Sequence, residues 1–305
     1  MRRPTSPILA LLAVLLFGTA CGTPSTPIVP TQPPPPADTP TLAATATITD
    51  TATPESTPTL GVGSSMTSPA DGMTLLYVPA GPFQMGSTEA EGGYADEMPQ
   101  HTVDLAAFWA DKTEVTNAMY SLCVKAGACK PPRRNTSNVK DEYYTYTPYA
   151  DYPVIWVNWS DAQAFCTWAG ERLPTEAEWE KAARGTDGRI YPWGNQAPDG
   201  SRANFKYLVK DVTQVGQYPA GASFYGLLDM AGNVWEWTAD WYGSKYYGQS
   251  PAEDPTGPAT GTMRVLRGGS WVYEDSAMRA AYRYQRLPTV TNAEIGIRCV
   301  MSANP

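Results

Sequence analysis

Residues 264–283, RVLRGGSWVYEDSAMRAAYR, gather side chains that could bind or react. A glycine pair, Gly268-Gly269, precedes Ser270 and Trp271. Beyond them Tyr273, Tyr282 and Tyr284 are interleaved with Arg279, Arg283 and Arg286. Aromatic rings beside guanidinium groups suit the anchoring of a polypeptide or a glycan in a groove. Covalent or metal chemistry asks for other residues, and from Gly268 to Arg283 there is no cysteine, histidine or lysine. The stretch therefore reads as a binding rim without a nucleophile.

The rest of the chain narrows the chemistry further. One histidine, His101, cannot build a three-histidine metal site, and a Ser-His or Cys-His nucleophile is not expected. In PQHTVDL it reads as a hydrogen-bonded structural residue. A net charge of -8 argues against a nucleic-acid partner, which would need clustered lysine and arginine. Glu176, Glu178 and Glu180 resemble paired catalytic carboxylates. They fall in the first turns of a capped helix, where negative charge favours the helix N-terminus, and that reading is preferred.

The elements that must position these residues are short. MTLLYV (73–78) and Pro82 to Met85 read as strands around an Ala80-Gly81 turn. Thr116 can cap a helix running to Ala126, stopped by Gly127. Ser160-Asp161-Ala162-Gln163 and Thr175-Glu176-Ala177-Glu178 read as capping boxes whose helices end at Gly170 and Gly185. After Gly185 helical periodicity gives way to aromatic pieces punctuated by glycine. The expectation is one α+β domain with much irregular backbone over residues 70–303.

The N-terminus indicates a compartment. Arg2 and Arg3 precede an apolar run from Ile8 to Phe17, too short to span a bilayer, and then Gly18-Thr19-Ala20-Cys21. This resembles a bacterial lipoprotein signal (residues 1–21), with Cys21 as the lipidated mature N-terminus and an extracytoplasmic, membrane-anchored product. Residues 22–69 are Thr, Pro, Ser and Ala-rich and read as an extended, disordered tether. Outside the cytoplasm the four remaining cysteines favour disulfides over thiols or metal sites, and four cysteines allow three pairings. A local Cys123–Cys129 bridge is easy across the intervening glycine turn.

Several long motifs then follow in fixed order: GMTLLYVPAGPFQMGS, EMPQHTVDLAAFWADKTEVTN, YPVIWVNWSDAQAFCTWAGERLPTEAEWEKAARG, YPWGN, GLLDMAGNVWEWTADW, RVLRGGSW and IGIRC. Together they resemble the formylglycine-generating enzyme, or sulfatase-modifying factor, domain, across about residues 70–302. The resemblance implies a C-type-lectin-like α+β fold and a Cys166–Cys299 disulfide. It also implies structural calcium, held by Asp229, Gly232, Val234 and Glu236 at one site and by Asn204, Phe205, Asp211 and Thr213 at a second. The family enzyme oxidises a sulfatase cysteine with copper held by two cysteines spaced C-x4-C after the GGSW motif. Here those positions are Tyr273 and Met278, which offer no thiolate for Cu(I), so no copper is expected. Relatives without the cysteine pair include a three-histidine iron enzyme, a site that one histidine cannot supply. The resulting expectation is a surface-displayed, non-catalytic domain, a monomer, whose groove of Ser270, Trp271, Tyr273, Arg279, Tyr282, Arg283 and Tyr284 takes a protein or glycan. The alternative is an oxidase of the formylglycine type working without the usual thiols.

Overall fold

A computed structural model describes residues 60–303. The signal segment with Cys21 and residues 22–59 of the tether lie outside the described residues. Among the described residues no helix is long and apolar enough to cross a membrane. Folded structure begins before position 70, because β1 (Ser65–Thr67) already pairs antiparallel with β2 (Thr74–Val78).

Among the described residues there are ten short strands and three α-helices in all. β1 and β2 continue through β5 (Phe108–Asp111) to β10 (Val300–Ser302) as one four-stranded sheet. β3 (Gly81–Met85) and β4 (His101–Leu105) form a separate ribbon with Phe83 opposite Val103. A second four-stranded sheet runs β8-β7-β6-β9, from β6 (Trp235–Trp241), β7 (Arg264–Arg267), β8 (Tyr284–Arg286) and β9 (Ile295–Gly296). Long segments between these strands carry only turns, as the glycine-rich sequence after Gly185 implied.

The helices follow their caps. α1 (Asn117–Lys125) starts where Thr116 Oγ1 accepts Met119 N. α2 (Trp159–Ala169) starts two residues earlier than the Ser160 reading: Asn158 Oδ1 accepts Asp161 N at 2.9 Å, and Asp161 Oδ2 accepts Asn158 N in return. That reciprocal pair satisfies two orphan N–H groups, which leaves Ser160 inside the first turn. α3 (Glu176–Arg184) has the expected Thr175/Glu178 box. Every residue of α3 is buried, charged ones included, so it is a central element against which strands pack on several sides.

Both disulfides are present. Cys123–Cys129 closes the turn after α1, and Cys166–Cys299 ties α2 to the chain just before β10 across 133 residues of sequence. A loop that long is worth about 4–5 kcal/mol in the chain-entropy account, against about 2 kcal/mol for the local one. His101 Nδ1 donates to Pro99 O (3.0 Å) and the ring packs edge-on to Tyr247, which is a structural placement.

Candidate functional site

The loop after β7 is built on close approach. A Cβ on Gly269 would collide with Met278 Cε and lie 2.8 Å from Ala277 O, and its φ of 78° suits glycine. The glycine thus lets residues 275–278 fold back over the chain, which buries the Met278 thioether at 1% exposure. Ser270 is fully buried. Trp271 is 4% exposed; its Nε1 donates to Ala293 O at 3.2 Å, and its ring packs among Tyr143, Ile155, Val212 and Val234. Ser270 and Trp271 are core residues, and the expectation that they line an open groove does not hold.

The arginines point inward as well. Arg279 makes a two-pronged pair with Glu97 (2.6 and 2.7 Å), and Arg283 does the same with Glu176 (2.7 and 2.8 Å). Arg267 reaches Glu180 at 2.5 Å and donates to the carbonyls of Ala280, Ala281 and Tyr282. Glu178 caps its own helix and pairs with Arg172. So Glu176 and Glu180 do more than favour a helix N-terminus: they are the buried partners of the arginine run. Burial alone would raise Glu176, yet the Arg283 and Arg267 guanidinium groups hold it below the usual carboxylate range.

What remains toward the surface is a layer of tyrosines over Trp235. Tyr284 stacks on Trp235 at 4.9 Å, Tyr273 meets it edge-on at 5.0 Å, and Tyr282 lies tilted at 5.9 Å. The Tyr273 and Tyr284 hydroxyls are hydrogen-bonded at 2.9 Å, and burial followed by that bond pushes the Tyr273 phenol well up. Exposed Tyr94 packs edge-on against Tyr282. Beside the layer, Lys206 N donates to Tyr273 O and Tyr207 N to Trp271 O, which presents Tyr207, Leu208 and Val209 to solvent. Sequence reasoning missed this apolar tip; its signal is three apolar residues between two lysines in a glycine-poor turn. A separate cleft of about 600 Å³, lined by Leu105, Trp159, Arg172, Glu178 and others, shares no residue with the tyrosine layer.

The two residue sets expected to hold calcium are neighbours, joined by Asn233, whose N donates to Asn204 O and whose Oδ1 accepts Thr213 N. In the second set Asn204 Oδ1 is buried without a partner, but Asp211 is committed to other groups. Both Asp211 oxygens are taken, by Ser137 Oγ, the Asn138, Val139 and Val212 N–H groups, and Lys140 Nζ at 2.8 Å. Lys140 Nζ donates onward to Val212 O, so the Asp211 carboxylate already has a cation of the chain's own beside it. The first set fits in part. Glu236 is engaged by Arg298 and by Trp179 Nε1. Asp229 is raised to about 6 by burial, and Glu114, buried beside it, keeps Oε2 without a donor. Three carboxylates (Glu114, Asp229, Glu236) share one guanidinium (Arg298), a deficit that one divalent cation would offset. Gly232 approaches so closely that a Cβ would overlap Asn204 O.

Comparison with known proteins matches residues 63–303 to the sulfatase-modifying factor enzyme 1-like domain. The chain belongs to that family. It is 36% identical over 280 residues to a formylglycine-generating enzyme of Streptomyces coelicolor, covering 75% of this chain and 89% of that one. It is also 38% identical over 249 residues to the serine/threonine-protein kinase pkn1 of Chlamydia pneumoniae, spanning 75% of this chain but only 38% of the kinase. Among solved structures, PvdO from Pseudomonas aeruginosa superposes with a TM-score of 0.68 at 25% identity, covering 80% of this chain and all of that one. The sulfatase-modifying-factor frame is therefore kept, and with it the C-type-lectin-like α+β fold. The thiol pair is not: Tyr273 is a hydrogen-bonded phenol, Met278 a buried thioether, and all four cysteines of the described residues are in disulfides. The residues present do not fit thiolate-bound copper.

The inward arginines give a direct prediction. Arg279→Ala leaves Glu97 buried and unpaired and should lower stability by about 3–5 kcal/mol in denaturant unfolding, where a surface arginine would change it by less than about 0.5 kcal/mol. For Glu176 the folded value lies below its unfolded one. Its contribution is complete above pH 4.5 and is lost as pH falls through the lower folded value. Glu176→Gln should accordingly flatten the acid limb of the stability profile.

Proposed function

We propose that this is a non-catalytic sulfatase-modifying-factor domain, displayed outside the cytoplasm on a lipid anchor at Cys21, that binds a protein or glycan ligand. The observation that carries the proposal is the state of the two key positions, a phenol bonded to a second phenol and a buried thioether. No described residue could lose a proton to become a thiolate ligand, so the family's oxidation lacks its metal site. The ligand surface is the tyrosine layer of Tyr273, Tyr282 and Tyr284, extended by Tyr94 and by the Tyr207-Leu208-Val209 tip. Half-exposed aromatics with hydroxyl ends offer apolar contact and hydrogen bonds together, which suits polypeptide and sugar alike. Ser270, Trp271, Arg279 and Arg283 support this surface from beneath.

Calcium would be held by Asp229 with the carbonyls of Gly232 and Val234, and with Glu114 in the role expected of Glu236. Its contribution there is structural, offsetting buried negative charge. One observation favours the alternative, an oxidase of formylglycine type: the 36% identity to a formylglycine-generating enzyme over most of both chains.

The purified domain, supplied with copper, should convert no cysteine to formylglycine in a sulfatase-motif peptide, scored by mass spectrometry; conversion would favour the oxidase reading. On a glycan array and a displayed peptide library, Tyr282→Ala should weaken capture by about 1–3 kcal/mol with the fold intact. Trp271→Ala, by contrast, should cost about 3–5 kcal/mol of stability as a core truncation. Chelation should lower the melting temperature of the wild type, with a smaller shift in Asp229→Asn.

A further inference from the structure

A second acidic cluster lies away from Asp229, where the start of the fold meets α2 and β5. Asp111, the last residue of β5, is 1% exposed; its Oδ2 accepts Cys299 N at 2.8 Å and its Oδ1 has no partner. Glu171, half-buried, follows the α2 C-cap Gly170, and its N donates to Cys166 O. A carboxylate oxygen of each, and Cys299 Sγ, lie within 4.8 Å of one another. The sulfur is locked in the Cys166 disulfide, so it is no thiolate and the oxygens are the donors.

Two further groups face the pair from the turn between β1 and β2. Ser68 Oγ, on a residue only 3% exposed, also has no partner. Asp71 adds a third carboxylate, and its Oδ1 accepts Met73 N at 3.0 Å. The charges acting on Asp111 are those of Glu171 and Asp71, and the charge acting on Glu171 is that of Asp71, with no lysine or arginine among them. Arg172, next in sequence to Glu171, is turned to Glu178. Burial, with these acidic charges behind it, raises Asp111 well above its ordinary value; burial and Asp71 raise Glu171 to about 7 although Asp111 and Ser68 beside it pull it down.

Two orphaned buried oxygens, one carboxylate and one hydroxyl, thus converge on three acids with no internal cation. We propose that Asp111, Glu171 and Ser68, with Asp71 beside them, bind a hard divalent cation of the calcium class. Oxygen donors alone select such an ion over transition metals, and the half-exposed side of Glu171 leaves room for the waters that complete its shell. The ion would clamp the first turn of the folded domain to the C-terminal end of α2 and to the chain before β10.

The test is a calcium count per chain by equilibrium dialysis at about 1 mM calcium, in the range of extracellular modules. Glu171→Gln is the main variant, because Glu171 is half-exposed and the change keeps its shape. The wild type should bind one more calcium than Glu171→Gln, and Ser68→Ala should weaken the same site. Calcium should also slow amide hydrogen exchange at residues 68–73 in the wild type and not in Glu171→Gln. Equal counts in wild type and Glu171→Gln, or exchange at 68–73 indifferent to calcium, would overturn the proposal and leave a carboxyl pair sharing a proton. A failure of the Asp229 site is distinguishable: Asp229→Asn would then leave the count unchanged, while Glu171→Gln would still remove one ion.

Discussion

The buried pairing of α3 glutamates with arginines from the C-terminal third of the chain is the constraint on which the structure depends. Glu176 and Glu180 are buried, and neither could remain charged there alone. Arg283 and Arg267 meet them, and Arg267 also draws in the carbonyls of residues 280–282. Arg184 at the other end of α3 bonds Gly86 O and Gln84 O, which ties in the β3-β4 ribbon. One nine-residue helix thereby fixes β7, the loop after it and the β3-β4 ribbon. Such pairs do not maximise stability, but removing one partner strands the other, so the arrangement is specified closely.

That specification decides what the candidate site can present. Once Arg267, Arg279 and Arg283 are committed inward, the surface they leave is aromatic, with Arg286 over the Tyr284 ring and Lys206 paired to Glu274 and Asp275 at its edge. Gly269 folds residues 275–278 tightly over the chain and sinks Met278, while Tyr273 and Tyr284 close over Trp235. The family fold is held by the α3 network and by Cys166–Cys299, neither of which involves Tyr273 or Met278. On the proposed reading, side chains at those two positions can change at little cost to the fold.

Local features of the fold were legible in the sequence: the Thr116 and Thr175 caps, the Gly170 and Gly185 stops, and the opening strands. The motif order supplied the family and the long disulfide. Direction of side chains was not legible. RGGSWVYEDSAMRAAYR gives no hint that its arginines turn inward, because their partners Glu176 and Glu97 lie 107 and 182 residues away. The Asp211 partner was hidden for the same reason: Lys140, which pairs with it, lies 71 residues earlier in the chain. Asn158 displaced Ser160 as the α2 cap by a purely local competition, since both are good capping residues and only Asn158 has the acid at the right spacing.

The central claim, a frame retained and a thiol pair lost, is tested most directly by putting the thiols back. Cu(I) binding would be measured by competition with a chromophoric chelator for the wild type and for a variant carrying Tyr273→Cys and Met278→Cys together. The account predicts that the wild type leaves Cu(I) with the chelator and that the double variant captures about one equivalent. Equal capture by both proteins, or none by a correctly folded double variant, would contradict it.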